Sequence, residues 1–261
     1  MPTPAGRNVS ISLPRRFIID LVHFARKVPS VPVQRRMNLA AVVAARELAS
    51  PRPSWAAIFT KAYSFIAAAC PELRRAYLPY PWPHFYEHPV SVASIAVERH
   101  FVGEEAVFFG HVRTPEKCGL VELDRELRWF KEADVTRIGS FRQALRLSRM
   151  PRPIRRFAWW VALNWWGRKR AHYFGTFGLS VYAGLGAASL HPLSPVTTLL
   201  NYGTIDEKGD VDVRIIYDHR VLDGGNVARA LAELERVLNN EIVAELRYLR
   251  SLDAEIGRAH V

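Results

Sequence analysis

Apolar positions along the chain fall into helical and strand-like periods separated by short polar breaks. From Arg15 to Arg26 they recur at helical spacing, and Lys27-Val28-Pro29 closes the run. VPVQRRMNLAAVVAARELAS reads as a strand passing into a helix, which Pro51 and Pro53 stop. SWAAIFTKAYSFIAAAC is so uniformly apolar at helical spacing that it predicts a buried helix packed on a sheet. LPYPWPHFYEHP, dense in prolines and aromatics, predicts a loop. VSVASIAVER and EAVFFGHVR alternate as sheet strands do, and Leu120 to Lys131 predicts a helix with charged outer positions. FGLSVYAG, TTLLNYGTI and VDVRIIYDH read as three more strands, followed by a helix from about Gly225 to Leu252. There is no repeat and no low-complexity stretch. The pattern predicts one mixed α/β domain with a large sheet.

Composition narrows the class. Nearly half of the 261 residues are apolar, as in a folded globular protein. Cys70 and Cys118 make neither a disulfide framework nor a metal-ligand spacing, which fits a reducing cytosol. His84, His88, His100, His111, His172 and His191 also lack ligand spacing, so no metal is expected. The N-terminal MPTPAGRNVSISLPRR lacks the apolar core of a secretory leader. The longest apolar run, FAWWVALNWW, falls well short of the roughly 20 residues of a spanning helix. A cytoplasmic protein is the expectation.

The net charge of +11 points to an anionic partner. No acidic residue occurs between Asp134 and Asp206, while arginines crowd Phe141 to Arg170 around Trp159, Trp160, Trp165 and Trp166. Arginine stems beside a tryptophan-rich face suit an interfacial helix on the inner face of a membrane. The same segment could line a tunnel for a long acyl chain, or pack its tryptophans on the sheet. Nucleic acid ranks last, since no helix-turn-helix, zinc-finger or RNP pattern accompanies the charge.

The stretch YDHRVLDGG carries the candidate chemistry. A strand ends in Asp-His-Arg and turns through Asp-Gly-Gly into a helix, so His219 stands at a sheet edge. An imidazole there can act as a general base at neutral pH, or it can be an ordinary turn residue. Gly224 and Gly225 are read as permitting the turn.

DHRVLDG resembles the HxxxDG signature of chloramphenicol acetyltransferase and of the catalytic domain of dihydrolipoyl acyltransferases. Gly175-Thr176-Phe177-Gly178-Leu179-Ser180 resembles that family's G-T-F-T-[IV]-S segment. Arg26-Lys27-Val28-Pro29-Ser30-Val31 resembles its R-x-[IV]-P-H-F, with Ser30 in the usual histidine position. Lys61-Ala62 and Pro71-Glu72 match its K-A…P-E helix, so the likeness runs in order from about residue 15 to residue 250.

The resemblance implies a coenzyme-A-dependent acyltransferase fold, a mixed sheet flanked by helices, over residues 15–252, with an extension at 1–14, a tail at 253–261 and residues 141–170 inserted. It implies His219 as general base, Ser180 as oxyanion donor, and Asp223 as structural support paired with Arg26. It also implies direct transfer through a ternary complex, and a homotrimer with active sites at subunit seams. Ser180 also fits an ordinary strand serine. The chain shows no lipoyl segment, so a stand-alone enzyme is expected, with no permanently bound cofactor and with acyl-CoA or an acyl carrier protein as donor. Both donors are acidic, which suits the charge. The alternative is a non-catalytic scaffold or binding protein on the same fold.

Overall fold

The computed structural model describes residues 6–259. Its helices are α1 (Leu13–Ala25), α2 (Ala40–Glu47), α3 (Trp55–Ala69), α4 (Leu120–Glu132), α5 (Gly139–Arg149), α6 (Arg152–Asn164), α7 (Gly167–Phe174), α8 (Gly224–Val237) and α9 (Val243–Ala259). Six strands form the main sheet: β1 (Ser30–Asn38), β4 (Val92–Phe101), β5 (Glu104–Arg113), β6 (Phe177–Leu179), β7 (Thr198–Tyr202) and β8 (Asp210–Asp218). Their order is β1-β8-β7-β6-β4-β5, parallel only where β6 meets β4 and β7. The α/β architecture predicted from the periodicity is the one found.

Strand alternation sorts residues between two cores. On β5, Ala106, Phe108 and Val112 face the larger core with α3, α4, α8 and α9, whereas Phe109 turns to a second cluster built on α1, α6 and α7. Gly110 lies where the Phe130 ring crosses the strand, and a Cβ there would stand 2.3 Å from that ring. The buried Lys61 of α3 bonds Glu245 of α9 at 2.7 Å, and Glu245 also accepts from the Leu120 amide at the start of α4.

Two expectations are corrected here. LPYPWPHFYEHP is not all loop, because β2 (Arg75–Leu78) and β3 (His84–Glu87) form an antiparallel hairpin. Its prolines at 79, 81 and 83 fall between the paired strands, where no ladder donor is needed. An Arg75–Glu87 ion pair at 2.9 Å spans the hairpin. The last helix, read as ending near Leu252, runs on to Ala259 as α9. The extension expected at 1–14 is described from residue 6 and is helical by Leu13, while residues 1–5 and 260–261 lie outside the described residues.

The basic segment is three helices. Pro151, which cannot donate and restricts Met150, separates α5 from α6. On α6, Arg155, Trp159, Ala162 and Leu163 lie at helical spacing and are buried, while Ile154 and Phe157 are exposed. Trp159 stacks on Phe24 of α1 and belongs to the second core. Trp165 and Trp166, in the α6–α7 connection, are 47% and 55% exposed. The four tryptophans therefore do not share one face.

Asp20 of α1 fastens this layer. It is fully buried and pairs with the buried Arg155 and, at 3.5 Å, with Arg156. Arg170 of α7 is buried too and donates to the carbonyls of Tyr77, Leu163 and Pro195 at 2.7–3.0 Å. Burial pushes its guanidinium down to about 10, which leaves it charged at neutral pH.

Asp20→Ala strands Arg155 without a counter-charge and should cost about 3–5 kcal/mol, read from urea unfolding. A loss under about 1 kcal/mol would show that the pair does not anchor α6. Acid should weaken the fold as well. Burial holds His88 and His111 down to about 4, with Arg170 and Arg74 adding to the effect on His88, and His172 on His111. Their unfolded pKa is about 6.5, so the unfolded chain takes up protons first as pH falls. The stability of neutral, buried rings is therefore full above that pH and is lost between about 6.5 and 4. The unfolding midpoint should drop across this window, and less so in a His88→Gln, His111→Gln double variant. An equal drop in both proteins would contradict the assignment.

Candidate active site

His219 stands one residue beyond β8. The last rung of the β1–β8 ladder pairs Ser30 with Asp218, and the His219 amide then donates to the Pro29 carbonyl at 3.0 Å. The chain turns immediately, with the Val221 and Leu222 amides both donating to the Asp218 carbonyl. Asp223 then enters α8 as its extended N-cap residue. The His219 Nδ1 lies 3.1 Å from the Leu222 carbonyl oxygen and 3.6 Å from Asp223 Oδ1. A carbonyl oxygen only accepts, so the neutral imidazole carries its proton on Nδ1 and presents a lone pair on Nε2. The side chain is 49% exposed. Structurally, this is a ring held by one nitrogen with the other offered to solvent.

The carboxylates beside it are not arranged as the resemblance implied. Asp223 faces His219 rather than Arg26; its side chain is 83% exposed, and Arg26 is exposed at the C-terminus of α1. The ion pair in this corner is Asp218–Arg220. Asp218 is buried, and Arg220 contacts its carboxylate at 2.9 and 2.7 Å while lying over the Tyr77 ring. Asp218 and His219 lie on opposite faces of the strand: His219 has the parity of the core-facing Val213, Ile215 and Tyr217 but stands past the last rung and is half exposed, while Asp218 is buried on the other face. Gly224 and Gly225 are the first two residues of α8, and neither needs a positive φ. The turn is made by the Asp218 carbonyl, not by glycine freedom.

Ser180 follows β6. Gly175, with φ of +79°, ends α7, and a Cβ there would stand 2.8 Å from the Val92 carbonyl. Thr176 then bridges to β4: its amide donates to the Val92 carbonyl at 2.8 Å, and its hydroxyl accepts from the Val92 amide at 2.9 Å. The Ser180 amide donates to Leu200, and its carbonyl accepts from Asn201 Nδ2. Ser180 lines a cavity of about 490 Å³ together with Gly178, Leu179, Val196 and Leu199.

The register separates the two candidates. Ser180 is level with Asn201, which pairs with Arg214, five residues before His219 and two strands away. Strand rise and spacing put them roughly 20 Å apart. His219 does not line the Ser180 cavity. One chain therefore does not bring base and hydroxyl together. Ser30, in the usual histidine position, instead bonds His191 Nε2 at 2.8 Å, tying the connection before β7 to β1.

The sequence reading missed Asp218, Arg220, Asn201 and His191. Asp218 left a signal, since an acidic residue closing an apolar strand on its buried side calls for a cation, and Arg220 is the next residue of the same parity. Asn201 and His191 left none, because their partners are fixed by register and loop path. Among the described residues, no three His, Cys, Asp or Glu side chains gather as metal ligands.

No family profile and no curated protein matches the sequence. Solved structures do match. A dihydrolipoamide acetyltransferase of Azotobacter vinelandii, studied for the catalytic roles of a serine, a histidine and an asparagine, superposes with a TM-score of 0.68 at 16% identity, over 94% of this chain and 99% of that one. A probable dihydrolipoamide acetyltransferase of Listeria monocytogenes gives 0.64 at 14% identity, over 89% and 94%. A truncated catalytic core of the 2-oxoacid dehydrogenase multienzyme complex of Thermoplasma acidophilum gives 0.64 at 15%, over 90% and 99%. At these identities the likeness lies in the path of the backbone: this chain has the coenzyme-A-dependent acyltransferase fold of the dihydrolipoamide acetyltransferase catalytic cores.

Proposed function

We propose that this chain transfers an acyl group from a thioester, acyl-CoA or an acyl carrier protein, to a hydroxyl, amine or thiol, with His219 as general base. The observation that carries the reading is the His219 Nδ1 contact to the Leu222 carbonyl, which leaves Nε2 free at an exposed strand end. Nε2 takes the proton as the acceptor atom attacks the thioester carbonyl. The carbonyl π electrons move to oxygen, and the tetrahedral oxyanion is held by the Ser180 hydroxyl. Collapse of that intermediate breaks the C–S bond, and the leaving thiolate recovers the proton from Nε2. No acyl-enzyme forms. Asp223 Oδ1 stands 3.6 Å from Nδ1. The buried Asp218, paired with Arg220, fixes the strand end that carries the ring.

Because base and hydroxyl lie far apart in one chain, the working site takes His219 from one copy and Ser180 from a second, in a homotrimer. His219→Ala should lower turnover by roughly 10²–10⁴ and Ser180→Ala by roughly 10²–10³. Refolding the two inactive variants together should restore thiol release, since about a quarter of the seams in mixed closed rings then carry both native groups. Mixtures no more active than either variant would refute the shared site. No thiol release by the folded parent protein with any donor would favour the scaffold alternative.

Peripheral association with the cytoplasmic face of a membrane is part of the same reading. Tyr80, Phe157, Trp160 and Trp165 form a contiguous aromatic cluster with centroids 5.1–6.4 Å apart, beside the exposed Trp166 and the exposed Arg152, Arg168 and Lys169. Aromatics ringed by cations favour the headgroup level of an anionic bilayer, where each basic residue adds about 1 kcal/mol. Trp159 is excluded because it belongs to the core. Replacing Phe157, Trp165 and Trp166 with serine should abolish sedimentation with phosphatidylserine vesicles; unchanged sedimentation would rule this surface out.

A further inference from the structure

The cavity at Ser180 has a neighbour. Its far wall, made by Phe17, Phe109, His111, Tyr173 and Phe174, also bounds a second cavity of about 500 Å³. That second space runs between α5 and α6, past Ala144, Leu147, Ala158, Trp159 and Ala162. An acetyl group would leave nearly all of it empty, whereas cavities of about 300–1,000 Å³ enclose whole organic ligands.

We propose that the two adjoining cavities open into one another and hold the acyl chain of the donor, which makes the substrate class a medium- or long-chain acyl thioester. This rests on the acyl-transfer reading and assigns its donor. The thioester lies at Ser180, where the oxyanion develops, and the chain runs away from it between α1 and β5 into the α5–α6 pocket. The short side chains of Ala144, Ala158 and Ala162 leave the width that a polymethylene chain requires. The basic Trp-rich segment thus has two sides: Trp159 lines the chain pocket from the core, Trp166 borders both the pocket and solvent, and Trp165 faces outward.

Equilibrium binding of acetyl-, hexanoyl-, decanoyl- and hexadecanoyl-CoA, below their micelle concentrations and with the His219→Ala protein to prevent turnover, tests this. Affinity should rise by roughly fourfold per buried methylene until the pocket is filled. Ala158→Trp, and separately the milder Ala144→Leu, should collapse the decanoyl-to-acetyl affinity ratio, with circular dichroism confirming the fold. Affinity independent of chain length, or a length dependence that neither substitution alters, would overturn the proposal. The two readings fail separately. Thiol release with flat chain-length binding removes the pocket, and chain-length-dependent binding without His219-dependent release removes the chemistry.

Discussion

The ladder between β1 and β8 is the constraint on which the candidate site depends. It pairs segments nearly two hundred residues apart, in a register that runs from Ser30↔Asp218 to Asn38↔Asp210. Because side chains alternate with a period of two, this register puts Asp218 and His219 on opposite faces, Asp218 buried against Arg220 and His219 half exposed just past the last rung. A slip of one residue would exchange the faces that the two side chains occupy. The Pro29 carbonyl takes the next amide, so the ring position is set by backbone bonds before any side-chain contact is made.

A second consequence follows from sheet order. β6 and β8 are separated by β7, and the strand end that presents Ser180 is opposite the one that presents His219. Each of the two groups is held by backbone bonds, and one chain does not bring them together. On the proposed shared site, the seam between copies is the reaction vessel and oligomerisation is a condition of activity. The large positive charge fits an acidic thioester donor, and the layer of α1, α5, α6 and α7 supplies the apolar volume that a tail requires.

Much of this was legible in the sequence. Strands with clean alternation, such as EAVFFGHVR, and the helix SWAAIFTKAYSFIAAAC were recovered because period and burial agree. The local backbone at His219 and Ser180 was legible too: a turn closed on Asp218, and a strand entered through Gly175 and Thr176. What the sequence concealed was set by distant partners. The hairpin of β2 and β3 was hidden by prolines that sit only in its turn. The partner of Arg155, Asp20, is 135 positions away and shows no local sign. Arg26 could be matched to a motif, but nothing in the motif fixes where its side chain lies. The four tryptophans read as one group because adjacency in sequence says little about faces once a helix ends at Asn164.

The account stands on which nitrogen of His219 is free. Imidazole nitrogen NMR of isotope-labelled protein, with the His219 signals assigned by loss in His219→Ala, reports the tautomer directly. The account predicts a neutral ring protonated on Nδ1 with an unprotonated Nε2. A ring protonated on Nε2 at neutral pH would have its lone pair turned toward the Leu222 carbonyl, and would contradict the base assigned here.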